Sequence, residues 1–492
     1  MSADKLMYIG GDWVESSSGR RFESENPATG ETLGTVPRGN AGDIAAAVAA
    51  AKAAFPAWRD TAPDERGRWL LKLAAALRGH AEEMALLLAQ ESGHYLGKAR
   101  GLVEFTAQNL EFHAGLADKA RGATIPTGPG RLAMTRLEPV GVTGHIIPWN
   151  YPLFLITRSV APALALGNTA VVKPAEQTPL ITLAFAEIVE EVGLPVGVFN
   201  VVTGFGEEAG APLSAHEDVR SLTFTGSVPT GQSVMRAAAA NMTKVCLELG
   251  GKSAVIVFPD VDVEVATEVA MQGILSRCGQ VCIAGSRFFV HRDIYDPVVA
   301  RLAERFAEVR LGDTLDAQTQ MGPLVSQEQL DRVEGYVEIG KREGARLLVG
   351  GARPDDPRLQ RGYFYLPTLF VDVTNDMRIA REEVFGPVLC VLPWDDEEDV
   401  IRQANDSPYG LAAAVWCNDA TNAIRTATRL EAGGVFVNEW IGEDFKAAHG
   451  GYKLSGIGRE NGFECISHYT ELKHIAISLL AEKPETWCDA PL

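Results

Sequence analysis

Positive charge, cysteine and long apolar runs are all scarce in this 492-residue chain. Lysine and arginine total 45 against 64 aspartates and glutamates, a formal charge of −19. That balance argues against nucleic acid or an anionic membrane as the main partner, though it leaves room for a local basic pocket. The seven cysteines are Cys246, Cys278, Cys282, Cys390, Cys417, Cys465 and Cys488. An odd, sparse set is a poor disulfide scaffold, so a reducing, cytoplasmic setting is expected. Cys278 and Cys282 lie close together, but no second ligand pair follows, so no metal site is expected. No apolar run reaches the roughly 18 residues of a membrane-spanning helix. The opening Met1–Tyr8 lacks the basic-then-apolar layout of a secretory signal. Internal repeats and low-complexity tracts are missing too. What remains is 46% hydrophobic and 22% charged, a composition that folds around a sizeable core. The length suggests two or three domains.

The pattern along the chain is α/β. Asn40 to Trp58 is alanine-rich with a cap candidate at Asn40 or Asp43, and reads as a helix. Glu65 to Ser92 reads as one longer amphipathic helix stopping at Gly93. Leu132–Glu138 alternates polar and apolar residues and should be a strand in a hairpin-like excursion. From Gly141 to Phe258, short apolar runs alternate with helical stretches. The runs are Val142–Ile147, Thr169–Val172, Val198–Val202, Ser221–Phe224, Val245–Leu247 and Ala254–Phe258, the signature of a parallel, doubly wound sheet. A second α/β block runs from about Asp260 to Val437. The apolar stretch Leu472–Leu480 reads as a strand able to pair with another subunit.

Several residues fit chemistry. Gly226-Ser227-Val228-Pro229-Thr230-Gly231 follows one apolar run and opens a helical stretch, and Gly204-Phe205-Gly206 through Gly210 follows another. Such turns present free backbone N–H groups and a positive dipole end, which suit a pyrophosphate. Lys173-Pro174-Ala175-Glu176 ends a strand, where a carboxylate can hold ribose hydroxyls or simply face solvent. Cys282 is flanked by small residues that should open the backbone around its thiol; Cys278 competes for any nucleophilic role, and composition does not separate them. Glu248, between leucines at a strand end, should be desolvated, which raises a carboxylate pKa toward that of a useful base. The rigid turn Pro148-Trp149-Asn150-Tyr151-Pro152 places an amide that can donate to an oxyanion.

Together these pieces resemble the aldehyde dehydrogenase superfamily. The likeness covers nearly the whole chain in order and spacing. It includes Asn26-Pro27-Ala28-Thr29-Gly30, Pro148-Trp149-Asn150, Lys173-Pro174-Ala175-Glu176, Phe224-Thr225-Gly226-Ser227 and Leu247-Glu248-Leu249-Gly250-Gly251-Lys252. It continues through Gly279-Gln280-Val281-Cys282, Glu382-Glu383-Val384-Phe385-Gly386-Pro387 and Gly450-Gly451-Tyr452-Lys453. Each motif is modest alone; the ordered set is specific.

The resemblance implies a Rossmann-type cofactor domain (1–119 and 139–250), an α/β catalytic domain (251–448) and a small β oligomerisation element with a tail (120–138 and 449–492). It implies a homodimer or homotetramer acting on a small-molecule aldehyde. By the same likeness, Cys282 is the nucleophile, Glu248 the general base and Asn150 the oxyanion donor. NAD is implied as cofactor, ahead of NADP. Its expected contacts are Ile146, Pro148, Trp149, Lys173, Glu176, Gly206, Gly210, Phe224, Gly226, Ser227, Leu249, Glu383 and Phe385. CoA-acylating members typically lack the glutamate, so Glu248 favours hydrolysis to the acid. The expected substrate contacts are Tyr151, Phe154, Arg158, Arg277, Val281, Ile283, Trp440 and His449. Two of these depart from the family pattern. Arg277 stands where asparagine is usual, and Ala448-His449 replaces a common Pro-Phe pair. The Ile156-Thr157-Arg158 stretch is similar to that of succinic-semialdehyde dehydrogenases, so Arg158 and Arg277 are expected to meet an anionic substrate group, unless they pair with protein acids. The aromatic lining suits an aromatic aldehyde as the alternative. A CoA-acylating enzyme and a catalytically silent binding protein of this fold are the other readings.

Overall fold

The computed structural model describes residues 4–440 and 444–479. Two mixed sheets form its two halves. The first has a parallel centre made of β1 (Val142–Ile147), β2 (Thr169–Pro174), β3 (Phe199–Val201), β4 (Val219–Thr225) and β5 (Lys244–Glu248), in spatial order β3-β2-β1-β4-β5. β1 and β2 are buried on both faces, which is why they read as continuous apolar runs rather than alternating ones. The crossovers include α1 (Pro152–Ala165) after β1, α2 (Pro179–Val192) after β2 and α3 (Val228–Ala239) after β4. Strand order reverses between β1 and β4, so the loops leaving their carboxyl ends part and open a crevice there. Met7–Ile9 pairs antiparallel with β3 at one edge, and Gly456–Ile457 with β5 at the other.

The second sheet contains β6 (Ala254–Val257), β7 (Arg287–His291), β8 (Arg346–Val349), β9 (Thr368–Val371), β10 (Val388–Trp394), β11 (Ala412–Trp416) and β12 (Gly434–Val437), ordered β8-β9-β10-β7-β6-β11-β12. Every neighbouring pair is parallel except β8 with β9. The run at Ala254, expected to continue the first sheet, therefore belongs to the second. Gly250 and Gly251 lie in the crossing segment, where a Cβ on either would lie within 2.5 Å of a neighbouring atom.

One further expectation is corrected. The Glu65–Ser92 stretch is two helices, Pro63–Gly79 and Ala81–Ser92, broken at His80. Periodicity spans that break because both pieces bury their apolar faces in one cluster. The strand Thr470–Ser478 pairs antiparallel along its full length with Arg131–Pro139 of the same chain, at the edge of a three-stranded sheet. The Asn40 cap is as expected: its side chain accepts from Gly42 N–H, and Asp43 returns a bond to the Asn40 backbone.

Candidate active site

The residues expected to hold the cofactor stand at or just beyond the carboxyl ends of β1 to β5 and on the facing segment 383–385. Gly226 and Ser227 link β4 to α3; Ser227 caps the helix, its hydroxyl accepting from Thr230 N–H at 3.4 Å. A Cβ at Gly226 would meet the Phe224 ring at 2.5 Å, so only glycine lets the turn lie this close to the strand. Gly206–Gly210 forms a π-helical turn after β3. A Cβ added at Gly210 would reach only ordinary van der Waals contact with Ile146 and the Lys173 stem, at 3.9 and 4.0 Å. The Lys173 ammonium is buried, which lowers its pKa, and lies 3.2 Å from the Glu176 carboxylate, which partly offsets that. Across the crevice Trp149 meets the Phe385 ring edge-on, with centroids 5.3 Å apart. Glu383 accepts from Gly251 N–H at 3.1 Å. Desolvation lifts its pKa to about 7, against the pull of that bond and of Arg332 and Lys252.

The nucleophile loop is set by backbone strain. Arg277, Cys278 and Gly279 have φ of 51°, 55° and 70°, three successive left-handed residues. A Cβ at Gly279 would fall 2.0 Å from the Gly386 carbonyl, so the loop presses against the segment carrying Phe385. The Asn150 side-chain amide donates to the Gln280 carbonyl at 3.1 Å, tying the turn after β1 to this loop. One amide N–H is spent there and a second remains. Asn150 and Cys282 line the same cavity. Cys278 lines none of the described cavities, and burial pushes its thiol up to about 12. A thiol held protonated is a poor nucleophile, whereas Cys282 is only half-buried and lines the cavity.

Glu248 ends β5, 2% exposed, with Gly226 N–H bonded to its backbone carbonyl at 3.0 Å. His449 Nε2 lies 3.4 Å from Glu248 Oε2. Burial, with Arg158 and Arg459 adding repulsion, pushes the His449 pKa down to about 3. The imidazole is therefore neutral at working pH, and its contact with the carboxylate is dipolar rather than ionic.

The cavity in front of Cys282 has a volume of about 400 Å³. Tyr151, Phe154, Arg158, Val281 and Ile283 line it as expected. Arg158 is paired with a protein acid, the alternative left open for it by the sequence. Its guanidinium pairs with Glu460, each side chain 2% exposed, and Nη2 reaches Thr225 Oγ1 at 3.4 Å. Arg277 is behind the wall rather than on it. Nε donates to the Asn150 carbonyl at 3.3 Å and Nη1 to the Pro323 carbonyl at 3.4 Å, so it braces the loop. Trp440 lies over Gly273 and Gly285 in the core of the second half, not on this cavity. His449 lines a second cavity of about 250 Å³, which shares Ile283 with the first.

Sequence reasoning missed one wall entirely. Tyr95, Lys98, Leu102 and Phe105 come from the helix Leu96–Leu116 and its entry. Nothing local in that helix marks it as a cavity wall. Glu460 was missed too, although its place soon after the glycine-rich 450s put it near the site.

Residues 13–475 match the aldehyde dehydrogenase family. The chain is 51% identical to a hydroxyisobutyraldehyde dehydrogenase of Mycolicibacterium austroafricanum, over 99% of this chain and 97% of that one. It is 44% identical to a betaine aldehyde dehydrogenase of Bacillus subtilis, over 96% and 97%. Among solved structures, betaine aldehyde dehydrogenase of Staphylococcus aureus in complex with NAD+ superposes with a TM-score of 0.97 at 39% identity, covering 99% of this chain and 97% of that one. The NAD+ complex of an aldehyde dehydrogenase of Bacillus cereus gives 0.95 at 45%, covering 97% of each. With the family match running over residues 13–475 and relatives up to 51% identical across nearly the whole chain, the chain belongs to the aldehyde dehydrogenase family.

Proposed function

We propose that the chain oxidises a short, uncharged aldehyde to its acid with NAD, through a thioester on Cys282. The observation that carries the catalytic part is the shared cavity of Cys282 and Asn150, with Glu248 on the adjoining strand end. The Cys282 thiolate attacks the aldehyde carbon. The spare Asn150 N–H and the Cys282 backbone N–H stabilise the alkoxide. NAD, when bound, accepts the hydride this adduct loses. Glu248 then takes a proton from the water that hydrolyses the thioester.

The crevice fits that cofactor. Gly226 and Gly250 keep side chains out of it, Lys173 and Glu176 suit an adenosine ribose, and Glu383 with Phe385 and Trp149 suits the nicotinamide end. The uncharged substrate follows from the Arg158–Glu460 pair, which cancels the charge on that wall. The relative named for a hydroxylated, neutral aldehyde points the same way. A second reading, an aldehyde with an acidic tail, is favoured by Lys98, which lines the same cavity.

The same reading includes a cytoplasmic homo-oligomer built on the Arg131–Pro139 and Thr470–Ser478 ribbon. Leu472, Ile477 and Leu479 there are 67%, 38% and 63% exposed, an apolar edge suited to burial against a second copy. No described helix is long and apolar enough to cross a membrane. NADH formation over neutral, hydroxylated, acidic and aromatic aldehydes, with and without CoA, tests the reading. Preference for an acidic aldehyde that Lys98→Met abolishes would replace it with the second one.

A further inference from the structure

We infer that the buried Arg277 guanidinium is a fixed positive charge that stabilises the Cys282 thiolate, a positioning residue behind the nucleophile loop rather than a substrate contact. The inference rests on the proposal that Cys282 is the nucleophile. Arg277 is 5% exposed. Its backbone is left-handed, with φ of 51°, and so is that of Cys278, at 55°. Nε donates to the Asn150 carbonyl at 3.3 Å and Nη1 to the Pro323 carbonyl at 3.4 Å. Cζ lies 5.9 Å from the centroid of the Trp149 ring. The guanidinium therefore sits against the turn that carries the oxyanion donor. The Gln280 side chain fixes the same loop: Oε1 accepts from Val325 N–H at 2.9 Å, and Nε2 donates to the Arg277 carbonyl at 3.2 Å and the Pro323 carbonyl at 3.4 Å. Asn150 closes the ring by donating to the Gln280 carbonyl at 3.1 Å.

This charge is held by dipoles and not by a counter-ion. Its hydrogen-bond acceptors are two neutral carbonyls, and among the described residues no carboxylate acts on its pKa. Burial pulls that pKa down to about 10, with Cys278 and Tyr151 pulling the other way, so the charge persists at neutral pH. His94, before the helix Leu96–Leu116, is kept neutral by burial, with Arg277 and Lys98 adding repulsion. On the thiol side the cavity adds Tyr95, Lys98 and Arg158, the last paired with Glu460. Glu248, close before the Gly251 that packs on the Cys282 carbonyl, acts in the opposite direction. An uncompensated buried charge is costly to keep, and left-handed backbone of this kind gathers at functional sites. A guanidinium 3.3 Å from the Asn150 carbonyl lies about 10 Å from an alkoxide held by the same residue's amide. At that range a unit charge favours the anionic form by about one pK unit. The Cys282 thiol passes its proton to water and the field holds the sulfur anion that remains. Cys278 lies in the same field, but burial outweighs it and keeps that thiol protonated.

The test alkylates the full-length parent, Arg277→Gln, Arg277→Met and Arg277→Lys with iodoacetamide, from about pH 5 to about pH 10 and without cofactor. The thiolate sulfur displaces iodide, so the rate follows the ionised fraction, and mass spectrometry counts label at Cys282 alone. In both neutral variants the midpoint should rise by about one pH unit, a roughly tenfold slower labelling on the acid side, with the alkaline plateau within about twofold of the parent. Arg277→Lys keeps the charge and should hold the parent's midpoint within about 0.3 pH units. A brace without an electrostatic role would change the plateau and leave the midpoint. An unmoved midpoint in the neutral variants, a midpoint that moves as far in Arg277→Lys, or two neutral variants that both fail to fold overturns the assignment. Aldehyde oxidation by Cys282→Ala separates the readings. If that variant still turns over, the nucleophile reading falls and this one with it. An inactive Cys282→Ala beside an unmoved midpoint removes only the role of Arg277.

Discussion

Replacing Arg158 with leucine should damage stability far more than it damages acidic-substrate selectivity. The ion pair with Glu460 is buried on both sides, each partner 2% exposed. The Glu460 backbone is held by His449 through two hydrogen bonds, which keeps the residue's Cα in place within the buried site. The lost guanidinium would leave a fixed, uncompensated carboxylate, and breaking one side of such a pair costs about 3–5 kcal/mol, against about 0–1 for a surface pair. Removing both charges, as in Arg158→Leu with Glu460→Leu, should recover most of the loss, since a buried pair and an apolar replacement are often nearly equal. Denaturant unfolding of the four proteins in one double-mutant cycle gives the coupling. The paired activity assay compares a semialdehyde acid with a neutral aldehyde of equal length; their ratio should change by less than about threefold. An Arg158→Leu variant of undiminished stability, whose KM rises about 100-fold for the acid alone, would refute the reasoning and restore Arg158 as an anion reader.

Three further outcomes are expected. Glu176→Gln should narrow the preference for NAD over NADP by about tenfold, because the carboxylate repels a 2′-phosphate; catalytic efficiencies with both cofactors check this. Glu383 holds its proton to about pH 7 in the folded chain and releases it nearer 4.5 when unfolded, so it lowers stability as pH rises through that window. Glu383→Gln should flatten that fall in unfolding midpoints while slowing turnover by about tenfold. Glu91→Ala should cost about 2–4 kcal/mol with activity per folded molecule unchanged, because the buried carboxylate accepts from Leu180 N–H at 2.7 Å, Ile181 N–H at 2.9 Å and the Ser24 hydroxyl at 2.8 Å, closing the start of α2.

What could be read in the sequence was whatever is encoded locally. The runs that became β1 to β5 carry their burial in composition, and the Gly226–Ser227 turn carries its geometry in residue type. The Gly250–Gly251 crossing was visible as a motif but not as a change of sheet, because strand partners are non-local. The site divides in the same way. Asn150, Glu248 and Cys282 stand in ordered motifs, whereas the charge of Arg158 depends on Glu460, some 300 residues away. Composition could not choose between Cys278 and Cys282. Burial distinguishes them: Cys278 is buried within a run of three left-handed residues, while Cys282 is half-buried and lines the cavity. The helix Leu96–Leu116 lines the substrate cavity by packing alone, so its sequence looks like that of any half-buried helix.

In the proposed reaction Cys282 carries the acyl group and Glu248 activates the water that removes it. Glu248→Gln should accumulate that intermediate when mixed with aldehyde and NAD, and peptide mass spectrometry after acid quench reads where it sits. The account predicts the acyl mass on the peptide at Cys282, alongside an NADH burst, and no adduct in the Cys282→Ala double variant. An adduct mapped to Cys278, or steady hydrolysis with no trapped acyl group, would contradict it.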